Sequence, residues 1–374
     1  MNELKYFIYL QMLLGQGNRR AVKILERYGS AEAVYRLDNS ERKESGLFTE
    51  RELCRFETLE FSQAEKIYSE CKCSGIELIP YGGIRYPDML AAIDNPPLLL
   101  YIKGQMPEFD SIPSICIVGP RRVSEYGKKS AFSLGYRLAK AGMTVVSGGA
   151  LGSDFSAHSG ALKAGGRTVL VMGCGINSGY LPEAENLRKA VAEKGCLISE
   201  YPPSARAAKY SFPLRNRIMS ALSLGTAVVE APKKSGALIT ASFALEQGRD
   251  VFVIPGSPSA KEYEGSNALL RDGAKPLLDL SDIFGEYIHL FPDKIDIGKA
   301  FEKEEKKENK NLLNETLSKE AKIVYNHLDK HKFYPEEIKN TGLGSNEILS
   351  ALTELEIEGL IKAVPGGCYE LCDR

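Results

Sequence analysis

The segments SICIVGPRR (114–122), TVVSGGALGSD (144–154) and TVLVMGCG (168–175) repeat one device, a short apolar run that ends in glycine. Stretches with helical spacing follow the first two, to about Ala141 and to Ala164. Further apolar runs stand at Cys196–Ser199, Ala227–Glu230 and Val251–Ile254. Continuous rather than alternating apolar residues, separated by helices, predict strands of a parallel sheet covered on both faces. The expected fold class is α/β: a Rossmann-like, doubly wound, mostly parallel sheet. Ligands of such sheets bind at the carboxyl ends of the strands, where each glycine cluster falls.

Reading outward, residues 1–75 form a small helical domain of helix-hairpin-helix or SAM-like type. Gly15-Gln16-Gly17 makes its turn, and Asn18 is a good helix cap. Arg19, Arg20 and Lys23 would reinforce a phosphate grip there, but a plain packing module explains the segment better. Residues 76–290 form the extended Rossmann-like domain, with Ile76–Pro80 and Leu98–Lys103 as strands at its edge. Residues 291–316 form a charged linker that includes FEKEEKKENK (301–310). Residues 317–374 read as a winged-helix module with helices from Ala321, Pro335 and Asn346 and a hairpin turning at Pro365-Gly366-Gly367. Its third helix carries Glu347, Glu354, Glu356 and Glu358 without Lys or Arg. Carboxylates repel a duplex, so protein interaction or packing is expected there.

The chain has 374 residues, 48 Lys plus Arg against 49 Asp plus Glu, so any nucleic-acid surface must be a local patch. Eight cysteines and four histidines show no zinc-ligand spacing, and no metal or cofactor is expected. No run of about 18 apolar residues occurs, and the start MNELKYFIYL lacks signal-peptide features. A cytoplasmic protein without a membrane partner is the expectation.

Four loops carry the chemistry. Glycine after a strand lets amides approach a phosphate, and a helix N-terminus adds positive potential. Gly119, Arg121 and Arg122 form the first such loop, and Ser147 with Gly148 the second. His158, inside the helix that follows, lacks an evident partner for catalysis. The segment SARAAKYSFPLRNR (204–217) sets Arg206, Lys209, Arg215 and Arg217 among Tyr210 and Phe212 without an acid. Cations track a sugar-phosphate backbone and aromatics offer faces to unpaired bases, so a single strand is favoured. Ser235, Gly236 and Thr240 make the fourth loop.

Together these motifs resemble the bacterial DNA-processing family DprA (Smf). The resemblance runs through Val118-Gly119-x-Arg121, Ser147-Gly148-x-Ala150-x-Gly152-x-Asp154 and Tyr180-x-Pro182. It continues in Ser199-Glu200-Tyr201-Pro202-Pro203, Phe212-Pro213-x-Arg215-Asn216-Arg217 and Ser235-Gly236-x-Leu238-Ile239-Thr240. It implies a non-enzymatic protein that binds single-stranded DNA, protects it and helps load the RecA recombinase in natural transformation. It further implies a homodimer through the Rossmann-like domain, and a pocket lined by Arg121, Lys209, Phe212, Arg215, Asn216 and Arg217. Two positions depart from the family: Pro120 for its usual Ser, which removes one amide donor, and Gly149 for Leu. The competing class is a nucleotide-binding phosphoribohydrolase-like enzyme. Its PGGxGTxxE-type loop finds no match here, since Ser235–Thr240 lacks the doubled glycine and the following Glu.

Overall fold

The computed structural model describes residues 3–301, 317–328, 332–338, 341–357, 360–364 and 367–371. The charged run from residue 302 to 316, Glu358, Pro365 and Gly366 lie outside the described residues. The chain divides into two compact units, Met1–Phe301 and Glu302–Arg374.

The first unit is built on one nine-stranded sheet. Its strands are β1 (Glu77–Pro80), β2 (Leu99–Gly104), β3 (Ser114–Val118), β4 (Thr144–Ser147) and β5 (Thr168–Met172). They continue with β6 (Cys196–Ser199), β7 (Gly225–Val228), β8 (Asp250–Val253) and β9 (Lys275–Pro276). The spatial order is β1-β2-β6-β5-β4-β3-β7-β8-β9. The pairings β1–β2 and β2–β6 are antiparallel and all others parallel. The chain therefore winds from β3 outward to β6 and then returns to lay β7 on the other side of β3. The expected doubly wound sheet is present. The two-residue β9 was too short to be read from the sequence.

Side chains alternate between the two faces of the sheet, as the pleat requires. The N-terminal helices are α1 (Leu4–Leu14), α2 (Ala21–Tyr28), α3 (Ala31–Arg36), α4 (Asn39–Glu44), α5 (Glu50–Thr58) and α6 (Phe61–Cys73). They share one core with Leu99, Tyr101, Leu170, Met172 and Leu197 of the sheet. The short α7 (Asp88–Ala91) packs on the opposite face. Helices α8 (Glu125–Lys140) and α9 (Ser153–Lys163) cover Ile115, Ile117 and Val145, beside α10 (Glu185–Lys194). On the opposite face α11 (Ser211–Ala221) and α12 (Gly236–Glu246) cover Cys116, Val118, Val146 and Val228. Helices α13 (Glu264–Arg271), α14 (Ser281–Tyr287) and α15 (Ile297–Phe301) complete the unit.

The layers meet at Glu200, just beyond β6. Its Oε1 accepts from the Gly17 amide at 3.0 Å and from Arg217 Nη2 at 2.7 Å. Both side chains are buried, Arg217 at 0% exposure and Glu200 at 2%. Gly17 has φ +67, and a Cβ there would lie 2.4 Å from Leu214, so only glycine lets this turn close on α11. The turn's amides are thus spent within the protein: Asn18 Oδ1 caps the Arg20 N–H at 2.9 Å and Gly17 serves Glu200. Arg20 itself pairs with Glu52 at 2.8 Å.

The second unit holds α16 (Lys319–Asn326), β10 (Lys332–Phe333), α17 (Ser345–Ile357), β11 (Ile361–Val364) and β12 (Cys368–Leu371). Its sheet order is β10-β12-β11, antiparallel, around Leu352, Leu355 and Ile361. The helix expected from Pro335 is a three-residue 3-10 turn, Pro335–Glu337. The acids of α17 serve local amides. Glu354 accepts from Ser318 N and Oγ, Glu347 from Gly344 N, and Glu356 from Ala363 N.

Arg217→Ala should destabilise the first unit by about 3–5 kcal/mol, because it leaves the Glu200 carboxylate buried without its counter-charge. Urea unfolding measures this, and Glu200→Gln in the same chain should recover part of the loss.

Candidate nucleic-acid interface

At the carboxyl ends of β3 and β7 lies an open cleft of ≈ 670 Å³. It adjoins a recess of ≈ 30 Å³ over the ends of β4 and β5, with Arg121, Ala150, Tyr180, Phe212 and Arg215 bordering both. This is the point where the winding reverses, and the N-termini of α11 and α12 open onto it. Five cationic side chains line the two spaces, Arg121, Arg188, Lys209, Arg215 and Lys234, against one acid, Asp154.

Ten of the thirteen expected residues border these spaces: Gly119, Arg121, Gly148, Lys209, Phe212, Arg215, Asn216, Ser235, Gly236 and Thr240. Their surroundings differ. Arg121 is exposed, and its guanidinium sits over the Phe212 ring, 5.4 Å from the centroid. Phe212 also touches Tyr180, with centroids 5.1 Å apart and planes 42° apart. Lys209 is exposed. Arg215 is buried; its Nη1 donates to Gly148 O at 2.8 Å and to Val171 O, and its Nε to Asn216 Oδ1 at 3.2 Å. A Cβ on Gly148 would lie 2.5 Å from that guanidinium, so this glycine admits an arginine rather than a phosphate. Arg215 thus ties the ends of β4 and β5 together while its charge reaches the cleft. Ser235 Oγ accepts from Ala237 N at 3.3 Å and caps α12, and Thr240 is buried at the cleft wall.

The other three expected residues lie outside these spaces. Arg217 does not reach the cleft, since it lies fully buried against Glu200. Ser147 is buried with its hydroxyl donated to Ile117 O at 2.7 Å, which leaves no hydrogen for a phosphate. Arg122 is exposed but borders neither space. Pro120, though it lacks an amide hydrogen, holds its loop through its carbonyl, which accepts from Ser153 N at 3.4 Å.

Three further lining residues stand outside the expected set: Tyr180, Arg188 and Lys234, the last directly before the fourth loop. Tyr180 stood in the Tyr180-x-Pro182 motif, a visible signal. Arg188 lay inside an ordinary amphipathic helix and gave none; its Nη1 donates to Leu181 O at 3.1 Å.

The titratable groups nearby are structural. Burial pushes the Asp154 carboxyl above its ordinary range against the pull of Arg215, and Ala150 N donates to it at 3.2 Å. His158 is fully buried, with Nδ1 2.7 Å from Thr168 Oγ1. That hydroxyl donates to Val145 O at 2.9 Å, so it accepts from the imidazole, which fixes the Nδ1–H tautomer. Glu230, also buried, accepts from Ser124 N at 2.8 Å and Oγ at 2.6 Å and anchors the start of α8. Among the described residues no cluster of His, Cys, Asp and Glu could hold a metal ion, and no helix is long and apolar enough to cross a membrane.

Comparison with known proteins places this architecture. A family model described as DNA recombination-mediator protein A matches residues 77–288, and one described as DprA winged helix domain matches residues 313–367. Protein Smf of Synechocystis sp. is 33% identical over 311 residues, 76% of this chain and 77% of its own length. DNA processing protein DprA of Bacillus subtilis is 38% identical over 226 residues, 60% of this chain and 76% of its own. The X-ray structure of DNA processing protein A from Streptococcus pneumoniae superposes with a TM-score of 0.66 at 31% identity. It covers 75% of this chain and 97% of that one. A Helicobacter pylori structure, described as giving the single-stranded DNA binding mode of its DNA processing protein A, has a TM-score of 0.52 at 28% identity. It covers 57% of this chain and 96% of that one.

Burial lowers the His158 pKa from 6.5 to about 3. The native imidazole stays neutral where the unfolded chain takes up a proton, so this residue's contribution is complete above about pH 6.5 and declines as the pH falls towards 3. Urea midpoints at pH 7.5 and pH 5 should therefore drop more for the natural chain than for His158→Gln.

Proposed function

The chain belongs to the DNA recombination-mediator protein A family, and from that premise we propose that it binds single-stranded DNA in the cleft beside β3 and β7. It protects the strand and loads the RecA recombinase onto it during natural transformation. The observation that carries this reading is the cleft's lining: five cations with one buried acid, set around the exposed Arg121 guanidinium and the Phe212–Tyr180 ring pair. Cations neutralise phosphates without regard to sequence, and rings take up bases that a duplex would keep stacked. The binding mode described for the Helicobacter pylori relative supports the same ligand. Arg121, Lys209 and Lys234 make the phosphate contacts, and Arg215 contributes its field from beneath them.

The family relation also supports a homodimer through the α/β unit. Leu278 just beyond β9, 78% exposed, offers apolar surface near the β9 edge. The winged helix is assigned to protein interaction or packing, because Glu347, Leu349, Thr353 and Glu356 are exposed on α17.

Fluorescence anisotropy with a labelled single strand and its duplex, across a salt series, tests the proposal. The strand should bind more tightly than the duplex. Arg121→Ala should weaken strand binding, lower the log–log salt slope by about 0.7, and reduce RecA assembly on the strand to match. Equal affinity for duplex, or an unaltered slope, would overturn the reading. Release of free base from nucleoside monophosphates would instead establish the hydrolase.

Light scattering should give the mass of a dimer for the natural chain and of a monomer for Leu278→Glu. A natural chain that stays monomeric at all concentrations removes the dimer.

A further inference from the structure

Arg122, expected among the phosphate contacts, is exposed outside the cleft, at the start of a second surface. It follows Arg121, which borders the cleft, and α8 begins three residues later at Glu125. Along α8, Lys129, Phe132, Tyr136 and Lys140 recur at spacings of three and four, which sets them on one side of the helix. Lys129 and Phe132 are exposed, and Tyr136 and Lys140 are half-buried. The Phe132 and Tyr136 rings lie 6.4 Å apart and 15° from parallel, and Lys140 Nζ stands 5.7 Å from the Tyr136 centroid.

Packing explains why aromatic rings ride on the outside here. A Cβ on Gly135 would lie 2.2 Å from Ala157 O, and one on Gly160 2.1 Å from Phe132 O, so α8 and α9 meet backbone to backbone. Such an approach leaves no room for a large side chain between the helices. Phe132 stays at the surface, as do Leu151 just before α9 and Phe155 in its first turn. The acids of the two helices are Glu125, which pairs with Lys128, and Asp154, which is buried. The face is therefore cationic in a chain whose net charge is −1. It ends past Lys140, where Asp296, paired with Lys299 at 3.0 Å, donates its amide to Ala141 O.

We infer that this face of α8 is a second binding surface for single-stranded DNA, taking the part of the strand that leaves the cleft past Arg121 and Arg122. It rests on the proposed binding of a strand in the cleft and extends the bound length. Lysines at both ends of an aromatic pair match such a strand: charge neutralises phosphates, and ring faces let unpaired bases stack. From Lys129 to Lys140 the helix rises about 16 Å, the length of about five stacked nucleotides at ~3.4 Å each. A duplex keeps its bases stacked on one another and gains only from the charge. A second copy of the chain docked through the same face would set lysines against lysines.

The chain contains no tryptophan, so Phe132→Trp places a single fluorescent reporter on the face. Oligo-dT of about 25 nucleotides should quench its emission, and oligo-dT of about five, held in the cleft, should quench it far less. Lys129→Glu combined with Lys140→Glu should weaken binding of the long strand about tenfold and lower its log–log salt slope by about 1.4. The same variant should keep its affinity for the short strand. Phe132→Ala combined with Tyr136→Ala should weaken the long strand with the slope retained, whereas Phe132→Trp, which keeps a ring, should match the natural chain. Equal losses on both strands in the lysine variant, an unquenched reporter with the long strand bound, or equal quenching by duplex overturns the second surface while the cleft stands. Reporter emission that shifts with protein concentration alone makes the face a contact between copies and overturns it too. Failure of the natural chain to bind the long strand overturns the proposed function itself.

Discussion

A carboxylate sealed inside the protein holds the layers in register. Glu200 leaves β6 between two coverings of the sheet, and its Oε1 takes one hydrogen from the N-terminal turn and one from α11. Its Oε2, and Arg217 Nε and Nη1, find no hydrogen-bond partner among the described residues. Burial of such a pair does little for net stability, since desolvation consumes most of the attraction. What it does is penalise every arrangement in which the two charges are apart. A shift of α11 along the sheet, or detachment of the helical segment, would strand a charge in a medium that cannot solvate it.

The candidate interface inherits its geometry from that constraint. Successive residues on a helix turn by about 100°, so Arg215 and Arg217 point about 200° apart. With Arg217 drawn to Glu200, Arg215 and Phe212 are turned to the cleft, and Asn216 to its edge. Arg215 then bonds the carbonyls of Gly148 and Val171, which links the ends of β4 and β5 to the same helix. The glycine at 148 serves this packing, while the one at 119 allows the first loop to lie against Ser153. Glycines that read as phosphate cradles are in part the means by which protein groups approach one another.

The winged-helix unit offers a parallel case. The acids of α17 do argue against a duplex in contact with it, yet those acids also have a local purpose. Glu354 restrains the start of α16 and Glu356 reaches β11, so the negative charge is part of how the unit is fastened. Charge counts along a helix cannot separate acids that fasten from acids that repel.

By itself the sequence determined the architecture: apolar runs ending in glycine imply parallel strands with loops at one edge, because period and turn chemistry are local properties. It also located the cleft, since strand ends are fixed once strands are. Burial of the individual charged residues was decided only by the tertiary structure. Arg206, Lys209, Arg215 and Arg217 are alike in a linear reading of an acid-free segment, yet Lys209 lies in water, Arg215 beneath the cleft and Arg217 in the core. The difference comes from partners remote in the chain, Gly17 and Glu200 among them. The energy of a buried charge depends on what three-dimensional packing brings beside it, and no local pattern records that.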